Sequence, residues 1–200
     1  MGTTEESVEV RRRTGGRSAR VREAALRAAL EALTEADTRA TTMNDIARRA
    51  GVHASSLIRR WGTAEALTLD ALLTLSLDLL PIPDTGSLRD DLTAFSNSLA
   101  VYLSSQQGAA LARVMATVDD DSTMAEARTR FWQSRFGEAR VIIDRAVERG
   151  EVAAETDARA VLEALIAPLH FRHLLTHQPI DDEVIARTVD IVLHGVAEQH

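Results

Sequence analysis

Apolar residues recur at steps of three and four along most of the chain. No stretch alternates apolar and polar residues long enough to read as a strand. From Ser18 to Ala36, the stripe Val21, Ala25, Ala28, Ala29, Ala32 and Leu33 predicts an Ala-rich helix of high propensity and small buried side chains. Thr42, three residues before Asp45, reads as an N-cap with an acid in the first turn, opening a helix from Met43 to Ala50. Gly51 is a natural stop for it. A short helix from His53 or Ala54 to Arg60 follows. Thr63 caps a helix from Ala64 to Leu80, which Pro81-Ile82-Pro83 ends. Ser87-Leu88-Arg89-Asp90 resembles a capping box and starts a helix running to about Ser105. A short helix is expected from Ala109 to Thr117. Thr123-Met124-Ala125-Glu126 opens a long one ending at Arg149-Gly150, Thr156 or Asp157 starts one reaching Thr176, and Asp181 caps the last, Asp182 to Ala197. The expectation is an all-α protein of about nine helices, with three in a small N-terminal head and the rest in a C-terminal bundle. Its divisions fall at residues 1–16, a disordered Arg-rich arm, 17–63, the head, and 64–200, the bundle.

Composition narrows the function. The 200 residues are 45% hydrophobic and 26% charged, ordinary for a globular protein able to bury a core. No apolar run approaches the roughly 18 residues of a membrane span. The N-terminus lacks the apolar core of a secretory signal, so a cytoplasmic protein without a membrane partner is expected. The absence of cysteine excludes disulfides and thiolate chemistry. The formal net charge is −7, but it is unevenly spread: Val10 to Arg60 holds twelve Arg against five acids. A basic quarter on an acidic chain suggests a polyanion partner for that part alone, or merely a solvated basic tail. Every cation of the Lys/Arg class is Arg, which suits bidentate contacts to phosphate or guanine.

The basic quarter contains a helix, a short turn at Gly51, and a second short helix, the layout of a helix-turn-helix from Thr42 to Trp61. Ile46, Ala47, Ala50, Val52 and Leu57 can share one small core. Thr42 stands at a helix N-terminus, suited to a phosphate. His53, Ser55, Ser56 and Arg59 give the second helix the short polar face that entry into a major groove requires. The expected DNA-binding set is Arg17, Thr42, Asn44, His53, Ala54, Ser55, Ser56, Ile58, Arg59 and Arg60, with a double-stranded operator as partner.

From about Arg20 to Leu73 the chain resembles the tetracycline-repressor (TetR) family of regulators. The resemblance runs through Ala24-Ala25-Leu26, Ala40-Thr41-Thr42-Met43, Asp45-Ile46-Ala47, Ala50-Gly51-Val52, Leu57, Arg59-Arg60-Trp61 and Glu65-Ala66-Leu67. A looser likeness to a subgroup covers Arg149-Gly150-Glu151, Pro168-Leu169 and Leu174-Leu175-Thr176 to Pro179. The resemblance implies a DNA-binding head, a bundle that binds a small-molecule effector and dimerises, and ligand-released repression. There are departures. The family commonly has phosphate-anchoring Lys, Tyr and Lys where this chain has Ala54, Ile58 and Ala64. Their loss should weaken binding and flatten its salt dependence, with the Arg-rich arm as a compensating contact. Asp37-Thr38 stand where the family tends to have Gly and an aromatic.

In the bundle, the resemblance places an effector pocket between helices carrying Phe95, Leu99, Tyr102, Met115, Phe131, Phe136 and His170. A hydrophobic or aromatic effector would suit it; the same residues also read as plain core. The last two helices carry more apolar surface than a monomer would expose. Val161, Leu165, Leu169, Val189, Val192 and Val196 are the expected homodimer seam. Pro168 should kink its helix. His170, His173 and His177 share one helical face at i, i+3 and i+7, a weak metal signal beside the plainer reading as interface or pocket histidines; no metal ligand or cofactor is assigned. Asp119-Asp120-Asp121 reads as an acidic helix-entry turn. No catalytic constellation stands out, and an enzyme is not expected. The second reading is a small-molecule or metal-binding helical protein whose operator binding is weakened or lost.

Overall fold

The computed structural model describes residues 15–34, 41–116 and 122–197, excluding the side chains at 15, 17, 34, 112–116, 122–124, 196 and 197. Most of the N-terminal arm, Asp37-Thr38, the Asp119–Asp121 turn and the side chains of Arg17, Met115 and Val196 therefore lie outside the described residues. The described chain is helical throughout, without a strand. Its elements are α1 (Gly15–Thr34), α2 (Met43–Ala50), α3 (Ala54–Trp61), α4 (Ala64–Leu79), α5 (Leu88–Leu103), α6 (Gln106–Ala116), α7 (Ser122–Ala139), α8 (Val141–Glu148), α9 (Ala158–Phe171), a π-helical turn (Arg172–Thr176) and α10 (Asp182–Ala197).

The expected helical segments are present, with three revisions. The long segment after Thr123 is interrupted at Arg140, but only locally. The Arg140 N–H donates to the Phe136 carbonyl at 2.9 Å, and the Asp144 N–H donates to the Arg140 carbonyl at 3.1 Å. The helix containing Pro168 gives way to the π turn and ends at His177, whose φ is +50°. Finally, α6 starts at Gln106 rather than Ala109, placing Gly108 in its first turn.

Local chemistry explains the boundaries. Thr42 and Asp45 form a reciprocal capping box at α2. Thr63, Ser87, Asp157 and Asp181 each accept a backbone N–H at the start of a helix. Gly51 adopts φ +66°, a left-handed stop that costs glycine little, and the Val52 N–H returns to the Ala47 carbonyl at 3.0 Å.

Two apolar cores result. Ala25, Leu26, Ala29, Ile46, Ala47, Leu57 and Trp61 form that of the head, joined by Ala64, Leu67 and Ala71 of α4. Leu69 and Leu72, on another side of α4, enter the bundle core with residues from α5 to α10. Helix α4 thus contributes to both cores. An ion-paired hub locks this helix to the head: Asp70 accepts from Arg22 on α1 and from the Trp61 indole N–H on α3, each at 2.9 Å. A buried indole donor requires such an acceptor.

A second polar hub fixes the bundle. Asp91, fully buried, accepts the Thr85 N–H at 2.7 Å and its hydroxyl at 2.8 Å, and pairs with Arg149 at 3.5 Å. Arg149 also pairs with Glu151, whose carboxylate takes the Leu88 N–H at 2.6 Å. The Arg149-Gly150-Glu151 stretch thus clamps the α4–α5 connection to the end of α8.

Candidate nucleic-acid interface and ligand cavity

On the head, α2 and α3 meet through Ile46, Ala47 and Leu57, leaving the opposite side of α3 to solvent. His53, Ser55, Ile58, Arg59 and Arg60 are exposed, as are Thr42 and Asn44 on α2; Ala54 and Ser56 are half-buried. Most described members of the expected DNA-facing set are thus open to solvent on α2 and α3. Arg59 makes no hydrogen bond or ion pair among the described residues, so its guanidinium is available. Arg60 is less so: it lies over the Trp61 ring at 5.0 Å and reaches the Ser18 hydroxyl at 3.5 Å. The Thr42 hydroxyl donates to Asp45 at 2.6 Å while accepting the Asp45 N–H at 3.2 Å, so its first role is the cap. The Thr42 hydroxyl and backbone N–H, both donating to the carboxylate, together with Arg48, hold the Asp45 carboxyl below its ordinary value. Ile58 puts 51% of its surface in water, an apolar group on an otherwise polar face.

In the bundle, a cavity of about 40 Å³ lies between the end of α4 and helices α5, α6, α7 and α9. Phe95, Leu99, Tyr102, Phe131, Phe136 and His170, six of the seven expected lining residues, surround it, together with Ser76, Leu80, Leu111, Trp132, Arg135, Ala139, Leu162 and Ile166. The volume accommodates a water rather than a drug-sized molecule, so a larger ligand requires the walls to move. Trp132 stacks on Phe136 with ring centroids at 5.7 Å and meets His170 edge-on at 5.8 Å. These three and Ile166 also line an outer groove of about 830 Å³ between α7 and α9.

Polar chemistry in the cavity is sparse. The His170 Nδ1–H donates to the Ile166 carbonyl at 2.9 Å, which leaves Nε2 as an acceptor. Burial lowers the His170 pKa from its ordinary value, the carbonyl bond opposes this, and His173 adds a small push downward. Burial pushes the Tyr102 phenol up to about 12 despite the nearby Arg135. Arg135 was not flagged by sequence reasoning, nor was Trp132 as a lining residue. Yet Phe131, Arg135, Ala139 and Ile142 follow helical spacing, so an Arg on the apolar face was there to be found.

Most of the expected dimer seam lies inside the protomer. Val161, Leu165, Leu169, Val189 and Val192 are buried within the protomer's own core, because α9 and α10 pack against α5 and each other. Among the apolar groups these helices leave outside are Ala164, Pro168, Phe171 and Ile191, around a groove of about 510 Å³ that Val161 and Val192 also line. The three histidines do not gather either. His170 faces the cavity, His173 lies on the π turn and His177 is exposed in a left-handed conformation; no metal-binding cluster forms among the described residues. The π turn breaks the 3.6-residue period on which their common face depended. No described helix is long and apolar enough to cross a membrane.

Known proteins share this arrangement. Residues 25–71 match the profile of bacterial regulatory proteins of the tetR family, and residues 82–192 match the tetracyclin repressor-like C-terminal domain. The HTH-type transcriptional regulator AqdR of Rhodococcus erythropolis is 38% identical over 181 residues, 90% of this chain and 86% of that protein. The crystal structure of the TetR family transcription regulator SCO0332 superposes with a TM-score of 0.77 at 27% identity, covering 88% of this chain and 98% of that one. The flavonoid-responsive regulator FrrA shares the fold, with a TM-score of 0.61 at 20% identity, over 90% of this chain and 97% of its own. A helix-turn-helix head with an exposed α3, a bundle enclosing a cavity, and matches over both parts lead to one assignment: the chain belongs to the TetR family of transcriptional regulators.

Proposed function

We propose that the protein is a cytoplasmic, homodimeric repressor that binds a near-palindromic operator through α3 and releases it when a small hydrophobic or aromatic effector enters the bundle cavity. The observation that carries this reading is the double role of α4. Ser76 and Leu80, at its far end, line the cavity, while Asp70 in its middle holds Trp61 of the recognition helix. An effector that enlarges a 40 Å³ cavity displaces the end of α4, and the Arg22–Asp70–Trp61 hub carries that shift to the head. That a regulator of the same fold, FrrA, is flavonoid-responsive supports an effector of this general kind. The groove of Ala164, Pro168, Phe171 and Ile191 serves as the two-fold seam, and it sets two heads on half-sites about one DNA turn, or a multiple of it, apart.

On DNA, Arg59 reads a base edge, Ser55 and His53 flank it, and the exposed Ile58 meets a thymine methyl in place of a phosphate anchor. Arg59→Ala is expected to weaken binding to an operator duplex, identified by footprinting upstream DNA, by about 1–3 kcal/mol, with little change on a scrambled duplex. Fluorescence anisotropy on both duplexes measures this. Equal loss on both would make Arg59 a phosphate contact and remove it from the reading of sequence.

A further inference from the structure

Arg135 is a charged group of the cavity that its described surroundings do not explain. It is 7% exposed, and its Nη1 is buried without a hydrogen-bond partner. The Tyr102 hydroxyl beside it is likewise buried and unpartnered. No carboxylate pairs with Arg135 among the described residues. Glu138, one turn along α7, acts on it only through its field and is exposed. Tyr102 cannot serve as counter-ion, since burial keeps it a neutral phenol, and His170 bonds a carbonyl through Nδ1. Buried polar atoms are nearly always satisfied, and an uncompensated buried charge is among the costliest features a core can hold. A guanidinium and a phenol, both with idle donors in an apolar box of Phe95, Leu99 and Leu111, form a built receptor for an anion on an apolar molecule.

We infer that the effector is an amphipathic acid, an aromatic or alkyl body bearing one carboxylate or equally acidic group, whose anion pairs with Arg135 and accepts from the Tyr102 hydroxyl. This rests on the cavity being the effector site, as proposed above, and adds the ligand class. The body fits the rest of the geometry. The cavity is too small for it, but Trp132, Phe136, Ile166 and His170 line both the cavity and the outer groove. Rotation of Trp132 or His170 joins the two spaces. The acid then sits at Arg135 while the body extends between α7 and α9.

Calorimetric titration with two matched pairs tests this: 2-naphthoate against 2-naphthamide, and decanoate against decanamide. The native protein is expected to bind each acid at least tenfold more tightly than its amide. Arg135→Met should abolish that preference, Arg135→Lys should keep part of it, and a cooperative melt of each variant certifies its fold. Amides binding the native protein as tightly as the acids would overturn the acid class and leave the cavity as an effector site, and this comparison needs no variant. A preference that survives in a folded Arg135→Met would place the acid elsewhere and overturn the inference equally. If none of the four compounds binds the native protein at millimolar concentration, the cavity reading falls together with the acid.

Discussion

Asp91→Ala is expected to lower the stability of the protein by about 3 kcal/mol, the low end of the cost of breaking a buried ion pair. The carboxylate is fully buried and serves three donors: the Thr85 N–H, the Thr85 hydroxyl and the Arg149 guanidinium. Alanine leaves the Thr85 N–H without an acceptor beneath the α4–α5 connection, and leaves the hydroxyl only the Ser87 carbonyl at 3.4 Å. Arg149 keeps Glu151, which holds the loss to the low end of the range. At roughly 2–4 °C per kcal/mol for a chain of this size, the melting midpoint falls by about 6–12 °C. Denaturant unfolding gives the free energy, and a calorimetric melt gives the midpoint. A variant within about 0.5 kcal/mol of native would mean that Thr85 and Arg149 find other partners and that the hub does not hold the bundle.

A comparable effect is expected from Gly108→Val, for a steric reason. A Cβ placed on Gly108 would stand 2.3 Å from the Tyr102 carbonyl oxygen and 2.6 Å from that of Leu103. These are backbone atoms at the end of α5 and cannot swing aside as a side chain can. The Ser105 hydroxyl, which donates to the Tyr102 carbonyl at 2.6 Å and accepts the Gly108 N–H at 3.2 Å, shows how tightly the two helices join. A branched residue must push α6 away from α5, at a cost of about 3 kcal/mol, the upper part of the usual range for overpacking. Because Tyr102 and Leu111 both line the cavity, the displacement should also open it. The expected result is a lowered denaturation midpoint together with altered ligand binding. Native stability in Gly108→Val would show that the α5–α6 corner yields.

Much of the architecture was legible because helix signals are local. Thr42 with Asp45, Thr63, Ser87, Asp157 and Gly51 each mark a boundary through a hydrogen bond or a backbone conformation available only there. Features that depend on what lies across a helix were harder to read. Val161, Leu165 and Leu169 announce an apolar stripe, but periodicity does not say whether the stripe faces its own core or a second chain; the structure gives them to the core and leaves Pro168, Phe171 and Ile191 outside. Helix α6 starts before Gly108, which permits a close approach to α5 that no local pattern announces. The histidine spacing was read on a 3.6-residue period that the π turn does not keep.

The candidate site divides in the same way. The aromatic lining residues are large and apolar, and size alone directs them inward. Arg135 is one of twenty-three Arg in a chain without Lys, and only its place in register with Phe131 and Ala139 distinguishes it from a solvated cation. On the head, Ala54 and Ile58 stand out in the sequence as missing anchors. In the structure Ile58 is an exposed apolar side chain next to the unengaged Arg59, the pair to which we assign the reading of bases.

Footprinting of the DNA upstream of the coding sequence at low salt tests most directly whether α3 serves a two-headed operator-binding protein. Two inverted half-sites are expected to be protected, with centres a whole number of DNA turns apart on one face of the duplex. Uniform, sequence-independent protection, or none, would contradict this expectation.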